Sequence, residues 1–566
     1  MKNWIGFVAA MLVAVGLGIL GTTPPRPLPA DAAQTEFSAS RAMAHVRRVA
    51  ARPHPTGSAE NAAVRSYIAE QLRGLGLEVR EAEAALPQAA IDRMALLSKG
   101  ALVPEKLVNV IGVLPGKNRA APAVALMTHH DTVWGSPGAA DDTAGVATIL
   151  ETLRAIKASG QPARDLVVVI TDAEELGLSG AEAFFAADPL RGRIGTIINL
   201  EARGGGGRTT MFETSPGNGE AMRLFAGSVS RPGASSLAAY VYSVLPNDTD
   251  MSVSMRGGWP GYNFAFIGRP GLYHSPKATP DRLDQGALQD MGGQVLALTN
   301  ALLTAERLPE RAANATFFDF FSLFLVIYPQ WLGWVMLAAS AAMLGWSGRK
   351  IGLRTLSAGM GRMLGLIAAS GVALFVFNWI SGAGPSAEYY DRLAAIPKLE
   401  AMALLAGLGT FLLIYGPAPA SKPQQAGAAA LLGLLGLGAQ IVAPTAAYIF
   451  VVPVLIAALG MWLGRWAGLS GAALVAGYMI YLGHFVMQGV GAPMAYVAAM
   501  PLALAVMASL PVWPGLGEKV ARSSAAVLLG LALGMALWVR LDPVADTVAA
   551  YSSDKSVEAI PITKPK

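Results

Sequence analysis

Between residues 317 and 540 the chain is dominated by long runs of Leu, Ala, Gly and Val with few charges, and nothing else in it constrains the fold so strongly. Segments this apolar and this long satisfy their backbone N–H and C=O groups as helices in a bilayer. Residues from about 35 to 310 have instead the mixture of an ordinary globular domain. Overall, 53% hydrophobic and 14% charged residues over 566 positions are too apolar for a soluble protein and too long for one domain. One part folds against water and the other against a lipid bilayer.

Within the apolar half the sequence predicts about eight helices, near 320–346, 363–381, 400–416, 426–444, 446–464, 468–487, 494–512 and 523–540, an all-α polytopic domain over 317–540. A further apolar segment, Trp4 through Leu20, follows Lys2 and ends at Gly21-Thr22-Thr23-Pro24-Pro25, so residues 1–21 read as a signal anchor or signal peptide. Residues 22–36, rich in Pro and Ala, read as a linker, and 541–566 as a C-terminal tail. Placing Lys2 in the cytosol puts Arg349, Lys350, Arg354 and Arg362, then Lys422, Arg465, Lys519 and Arg522, on that side too, as positively charged loops prefer. The same orientation exports residues 21–316, the loop with Glu388 and Asp391, and the tail. His484, Gln440 and Asn378 stand out, because a polar group at lipid depth needs a cavity or a partner, most simply an interhelical hydrogen bond.

In the globular half, 37–310, amphipathic helices are expected near 38–51 and 61–76. Val108–Leu114, Ala123–Thr128, Leu166–Thr171 and Thr196–Leu200 are short β-branched-rich runs bounded by turn signals, the pattern of strands buried on both faces. Ala144–Leu153 and Gly180–Ala187 carry helical patterns between them. Such alternation predicts an α/β domain with a mostly parallel central sheet flanked by helices. His129 and Asp131 then fall just past one strand, Glu174 and Glu175 past another, and Glu201 at the end of a third. Ligands of open α/β sheets gather outside the carboxyl ends of strands.

With no cysteine, thiol catalysis and cysteinyl metal sites are excluded, and any metal rests on His and carboxylates. A net charge of +5 is small for this length, and no basic stripe marks the chain for nucleic acid. His129-His130-Asp131, Asp141-Asp142, Glu174-Glu175, Glu201 and His274 are the ligand types that hold a pair of divalent ions, most often zinc, and activate a water between them. Such a site needs a bridging carboxylate, further ligands for each ion, and a general base beside the water. Asp141, between Gly138-Ala139-Ala140 and Asp142-Thr143-Ala144-Gly145, lies at a small-residue turn into a helix, where a carboxylate can approach both ions. Asp131 is placed to orient the His129 imidazole. Of Glu174 and Glu175, one can bind metal while its neighbour takes the proton of the water. His130 should point away from His129 in extended chain, and His54 and His45 read as structural or exposed. Asn247-Asp248-Thr249-Asp250 reads as a turn or as part of a substrate cleft.

The runs Thr128-His129-His130-Asp131-Thr132, Gly135-Ser136-Pro137-Gly138-Ala139-Ala140-Asp141-Asp142, Asp172-Ala173-Glu174-Glu175-Leu176-Gly177, Asn199-Leu200-Glu201-Ala202 and Tyr273-His274-Ser275 occur in an order that resembles the di-zinc aminopeptidases. Their fold is shared with glutamate carboxypeptidase, glutaminyl cyclase and the transferrin receptor. The resemblance covers about residues 36 to 305, with Arg52-Pro53-His54-Pro55-Thr56-Gly57-Ser58 fitting upstream. It implies a zinc-exopeptidase-like fold, a peptide substrate and two Zn2+ ions. Asp141 would bridge them, His129 and Glu201 complete one site, Glu175 and His274 the other, with Glu174 as base and Asp131 as support. Two positions depart from the family: Glu201 where Asp is common, and Ala278 in Lys277-Ala278-Thr279 where an acid is usual. The domain order resembles the membrane branch that includes endoplasmic-reticulum and vacuolar metallopeptidases. That implies a multi-pass membrane protein, with the peptidase domain in the periplasm of a bacterial inner membrane or an equivalent lumen. A one-zinc glutaminyl-cyclase-like enzyme, a non-catalytic receptor or scaffold, and a transporter role for the apolar half stay open as alternatives, as does oligomeric state.

Overall fold

The computed structural model describes residues 2–348, 352–384 and 389–541. Arg349, Lys350, Glu388 and the tail beyond Leu541 lie outside the described residues. The chain divides into two compact units: Pro24–Asn314, and a second containing the N-terminal and C-terminal apolar helices.

The first unit is built on a seven-stranded sheet of β1 (Glu78–Ala85), β2 (Lys106–Leu114), β3 (Ala123–His129), β4 (Leu166–Thr171), β5 (Ile194–Ala202), β6 (Gly206–Thr214) and β7 (Gly261–Gly268), in the order β1-β2-β4-β3-β5-β7-β6. The pairings β4/β3, β3/β5 and β5/β7 are parallel. The outer pairings β1/β2, β2/β4 and β6/β7 are antiparallel, so the sheet is mixed and its parallel character is confined to the centre. The sequence shows why: β3 and β4 are buried at every position, as strands covered on both faces must be, whereas β1 alternates with exposed residues and forms an edge.

Helices form where the apolar periodicity places them, at Ala39–Val49, Ala59–Gly74, Thr143–Ser159 and Ser179–Ala187, with Gln285–Thr304 a further, largely buried one. Ser38, Ser58 and Asp142 cap the first three by accepting the backbone N–H of Arg41, Asn61 and Gly145. The Pro-rich stretch from residue 24 belongs to this unit and is tied to it. Arg41, paired with buried Glu151 at 2.8 Å, donates to the carbonyls of Ala30, Ala32, Ala33 and Glu36, and Leu28 N–H donates to Gln289 Oε1 at 2.9 Å.

Among the described residues of the second unit, six helices are long and apolar enough to cross a membrane, within Asn3–Thr22, Leu353–Ile380, Ile396–Tyr415, Lys422–Val442, Arg465–Ser509 and Glu518–Leu541; Trp331–Trp346 and Tyr448–Leu463 are shorter. The helix expected from 320 starts only at Trp331, because the chain before it forms a two-stranded sheet of β8 (Ala315–Asp319) and β9 (Leu325–Pro329), turned through Phe321 and Ser322 at φ 51° and 62°. The segment expected at 494–512 is a 3-10 turn, Ala495–Ala498, followed by the short helix Ala499–Ser509. Each flagged polar residue has a partner. His484 Nδ1 lies 3.1 Å from Glu400 Oε1, which also accepts Gln488 Nε2 at 2.7 Å. Asn378 donates to the Ala492 and Pro493 carbonyls and accepts from buried Arg392, and Gln440 donates to the Gln330 carbonyl.

Candidate active site

At the carboxyl edge of the parallel strands, β3 ends on His129. Its Nδ1 faces the backbone carbonyl of Asp131 at 3.0 Å and the Asp131 carboxylate at 3.4 Å, which turns Nε2 toward the cluster. Nε2 lies 3.1 Å from Asp141 Oδ1 and 3.9 Å from Glu201 Oε2, at the end of β5. The other Asp141 oxygen, Oδ2, lies 3.1 Å from His274 Nε2, which is itself 3.1 Å from Glu175 Oε1. The two oxygens of Asp141 thus face two different histidines. Donor atoms of His129, Asp141 and Glu201, of Asp141, Glu175 and His274, and of His129, Glu174 and Glu175 lie within 4.8 Å of one another in each group. All seven residues singled out in the sequence therefore converge.

The backbone around them is held by buried polar side chains. Asp131 accepts the N–H groups of Glu174 and Glu175, at 3.1 and 3.3 Å, and the Thr56 hydroxyl at 3.2 Å. It thereby fixes the turn after β4 as well as His129. Ala173 and His274 take positive φ, 59° and 53°, a conformation few non-glycine residues adopt and one that clusters at functional sites. At the N-terminus of the helix after Asp141, Gly145 is the residue that fits. A Cβ there would lie 2.3 Å from both Asp142 Oδ2 and Thr128 Oγ1.

Burial dominates the electrostatics. It pushes the Glu174 and Glu201 carboxyls well above the usual range and raises Glu175, each reinforced by neighbouring carboxylates. Burial alone would lower the imidazoles, but Asp131 and Asp141 hold His129 well above its ordinary value, and Glu175 and Asp141 hold His274 up at about 9. Asp250, also buried, is pushed up to about 7 although it accepts the Thr171 hydroxyl. So many buried acids around two imidazoles form a centre that divalent cations would relieve. Imidazole nitrogens and carboxylate oxygens without thiols suit zinc.

His130 points away, its Nε2 on the Val108 carbonyl and its Nδ1 near Asn61. His54 is buried on the Arg52 carbonyl and pushed down to about 4 by burial, and His45 pairs with the Tyr67 hydroxyl. Asn247–Asp250 leads into a helix, Asp250–Arg256, with Asp250 buried near the site. Sequence reasoning missed Asp172, which accepts the Thr56 hydroxyl, the Val108 N–H and the Asn61 amide. Its only signal was its place beside Glu174-Glu175 at a strand end. It also missed Tyr242, whose buried hydroxyl has no hydrogen-bond partner among the described residues. Burial, then the fields of Glu213, Glu201, Asp248 and Glu174, keep that phenol protonated.

A mixed sheet carrying His, Asp and Glu side chains at its carboxyl edge has the architecture of the zinc-exopeptidase fold class. The model of Peptidase family M28 matches residues 109–299, within the domain that carries this site. Among curated proteins, the chain is 31% identical over 318 residues to rat "Endoplasmic reticulum metallopeptidase 1", covering 53% of this chain and 35% of that protein. It is 29% identical over 341 residues to the "Vacuolar membrane protease" of Yarrowia lipolytica, covering 57% and 34%. The match thus spans about a third of the length of these curated relatives. Among solved structures, a Bacillus subtilis zinc aminopeptidase aligns at 16% identity and TM-score 0.40 over 52% of this chain and 99% of its own. A Bacteroides thetaiotaomicron glutaminyl cyclase aligns at 19% and 0.37 over 47% and 98%.

Proposed function

We propose that this chain is a membrane-anchored, zinc-dependent exopeptidase of the aminopeptidase type, with Glu174 as general base. The observation that carries the reading is Asp141, with one oxygen 3.1 Å from His129 Nε2 and the other 3.1 Å from His274 Nε2, the disposition of a carboxylate shared by two ions. His129 and Glu201 would complete one zinc site and Glu175 and His274 the other. Bound zinc would supply Lewis acidity to the scissile carbonyl and lower the pKa of the attacking water.

Everything else falls to the side chains. Asp131 engages Nδ1 of His129, leaving Nε2 for the metal. Glu174, whose carboxyl burial holds well above its ordinary range, is suited to take the proton of the water and pass it to the leaving amine. The uncommitted Tyr242 hydroxyl offers a donor to substrate oxygen. The positive-inside pattern supports catalysis on the outer side of the membrane, in the periplasm if the host membrane is a bacterial inner membrane. The test is to purify the full chain in detergent, count zinc, and assay a panel of aminoacyl reporters with and without chelator. Two zincs per chain and chelator-sensitive release of the terminal residue are expected. One zinc with cyclisation of N-terminal glutamine would favour the cyclase reading, and metal binding without turnover a receptor.

A further inference from the structure

Beside Glu201 three buried polar side chains stand in a row across three strands. Asn199 on β5 pairs in register with Asn263 on β7, which pairs with Glu213 on β6. Asn199 and Asn263 are fully buried and Glu213 is 9% exposed. Asn199 lies two residues before Glu201, hence on the same face of β5. Its Nδ2 donates to Glu201 Oε1 at 3.3 Å and to Asn263 Oδ1 at 3.0 Å. Asn263 Nδ2 in turn donates to Glu213 Oε2 and Thr249 Oγ1, both at 2.9 Å.

The polarity of this row is determined by its ends. With Glu201 ionised on a bound cation, each end is a carboxylate, which accepts and does not donate. Were the Asn199 amide reversed, its oxygen would face Glu201 and Asn263 Oδ1; were Asn263 reversed, its oxygen would face Glu213. Acceptor would meet acceptor in a buried site, so only this orientation lets each Nδ2 donate to both of its neighbours in the row, at the cost of leaving Asn199 Oδ1 without a partner among the described residues. The strand has been adjusted to make it so: β6 breaks register between Met211 and Glu213, with Met211 opposite Phe264 and Glu213 opposite Asn263. That irregularity brings Glu213 inward onto Asn263, as bulges near active sites re-aim side chains. Burying polar groups costs free energy unless they are hydrogen-bonded, and among the described residues the acceptor that ends the row on its metal-facing side is Glu201.

Resting on the two-zinc reading above, we infer that Asn199, locked by Asn263 and Glu213, is a positioning residue that holds Glu201 Oε1 aside and presents only Oε2 to the metal. Oε2 is the oxygen that faces His129 Nε2, at 3.9 Å. The row makes Glu201 a single-oxygen ligand and sets the affinity of the ion it shares with His129.

The test uses the full chain in detergent, with zinc affinity measured by competition with a chromogenic chelator and the melting temperature recorded with and without zinc. Asn199→Ala should bind one of its two zincs about 10- to 100-fold more weakly, the usual cost of losing a hydrogen-bonded supporter of a ligand. The other zinc should bind unchanged. Asn263→Ala, which leaves the Glu201 contact but frees the Asn199 amide, should weaken the same ion by a smaller factor. Both variants should show a reduced zinc-induced rise in melting temperature, a readout that a merely structural loss would not move. Wild-type zinc affinity in folded Asn199→Ala overturns the proposal; if that variant does not fold, wild-type affinity in Asn263→Ala does. Failure of the unaltered chain to bind two zincs would instead strike the two-zinc reading.

Discussion

Glu174 and Glu175 are adjacent, chemically identical and both half-buried, yet they should fail in opposite ways when each is changed to Gln. In Glu174→Gln the backbone is undisturbed, because the N–H that donates to Asp131 at 3.1 Å is retained. The amide keeps the size of the carboxyl but cannot take up a proton. Loss of a general base costs about 10²- to 10⁴-fold in kcat, or about 2.7 to 5.4 kcal/mol of barrier. Zinc content should stay near two per chain. The metal-free variant should be no less stable, since burial already disfavours ionised Glu174. Glu175→Gln instead weakens a ligand 3.1 Å from His274 Nε2, so it should lose affinity for one zinc and regain part of its activity when zinc is added. Elemental analysis after dialysis, with kcat on an aminoacyl anilide at limiting and saturating zinc, separates the two. Turnover within a few-fold of the unaltered protein in Glu174→Gln, or matching zinc loss in both variants, would refute the assignment of base and ligand.

Other expectations follow from the same geometry. Because His274 is held up at about 9 in the metal-free protein, it is protonated near neutral pH, and binding metal must expel that proton. Calorimetry in buffers of differing ionisation enthalpy should show proton release, and the apparent affinity should rise about tenfold per pH unit from this group alone below that value. Gly145→Ala places a methyl 2.3 Å from Asp142 Oδ2 and Thr128 Oγ1, so urea unfolding should show a loss of about 1–3 kcal/mol or more, with reduced zinc content. Asp172→Ala strands the Val108 N–H but leaves the Thr56 hydroxyl with Asp131 and the Asn61 amide with the His54 carbonyl, so the variant should be about 1–3 kcal/mol less stable by the same assay. In the apolar unit, a double-mutant cycle of Glu400→Leu and His484→Leu, read by thermal unfolding in detergent, should give a coupling of about 0.5–3 kcal/mol.

The division between a water-facing domain and apolar helices was legible in composition alone, because solvent imposes itself on every residue of a long segment. Strands β3, β4 and most of β5 were legible for a related reason: strands covered on both faces are apolar at every position, and that pattern needs no knowledge of neighbours. The metal-ligand candidates could be read from their order along the chain, since a site at strand ends leaves its residues just past apolar runs. The edge strands β1 and β6 and the inner strand β7 went unread, as did β8 and β9, the latter inside a stretch that looked like one apolar helix. Local pattern cannot tell which apolar run will pair with another strand.

Sequence order named His129, Asp141 and His274, but only folding turned one oxygen of Asp141 toward each histidine, because that depends on the path of the chain between β3 and its following helix. Tyr242, Asn263 and Glu213 carry no sequence signal at all, and Asp172 and Asn199 only their places in runs beside the candidate ligands. Their roles arise from register across strands and from burial, properties shared between segments far apart in the chain. Side-chain types were set locally; which atoms meet was decided by the packed sheet, where Asn199, Asn263 and Glu213 find partners the sequence does not place beside them.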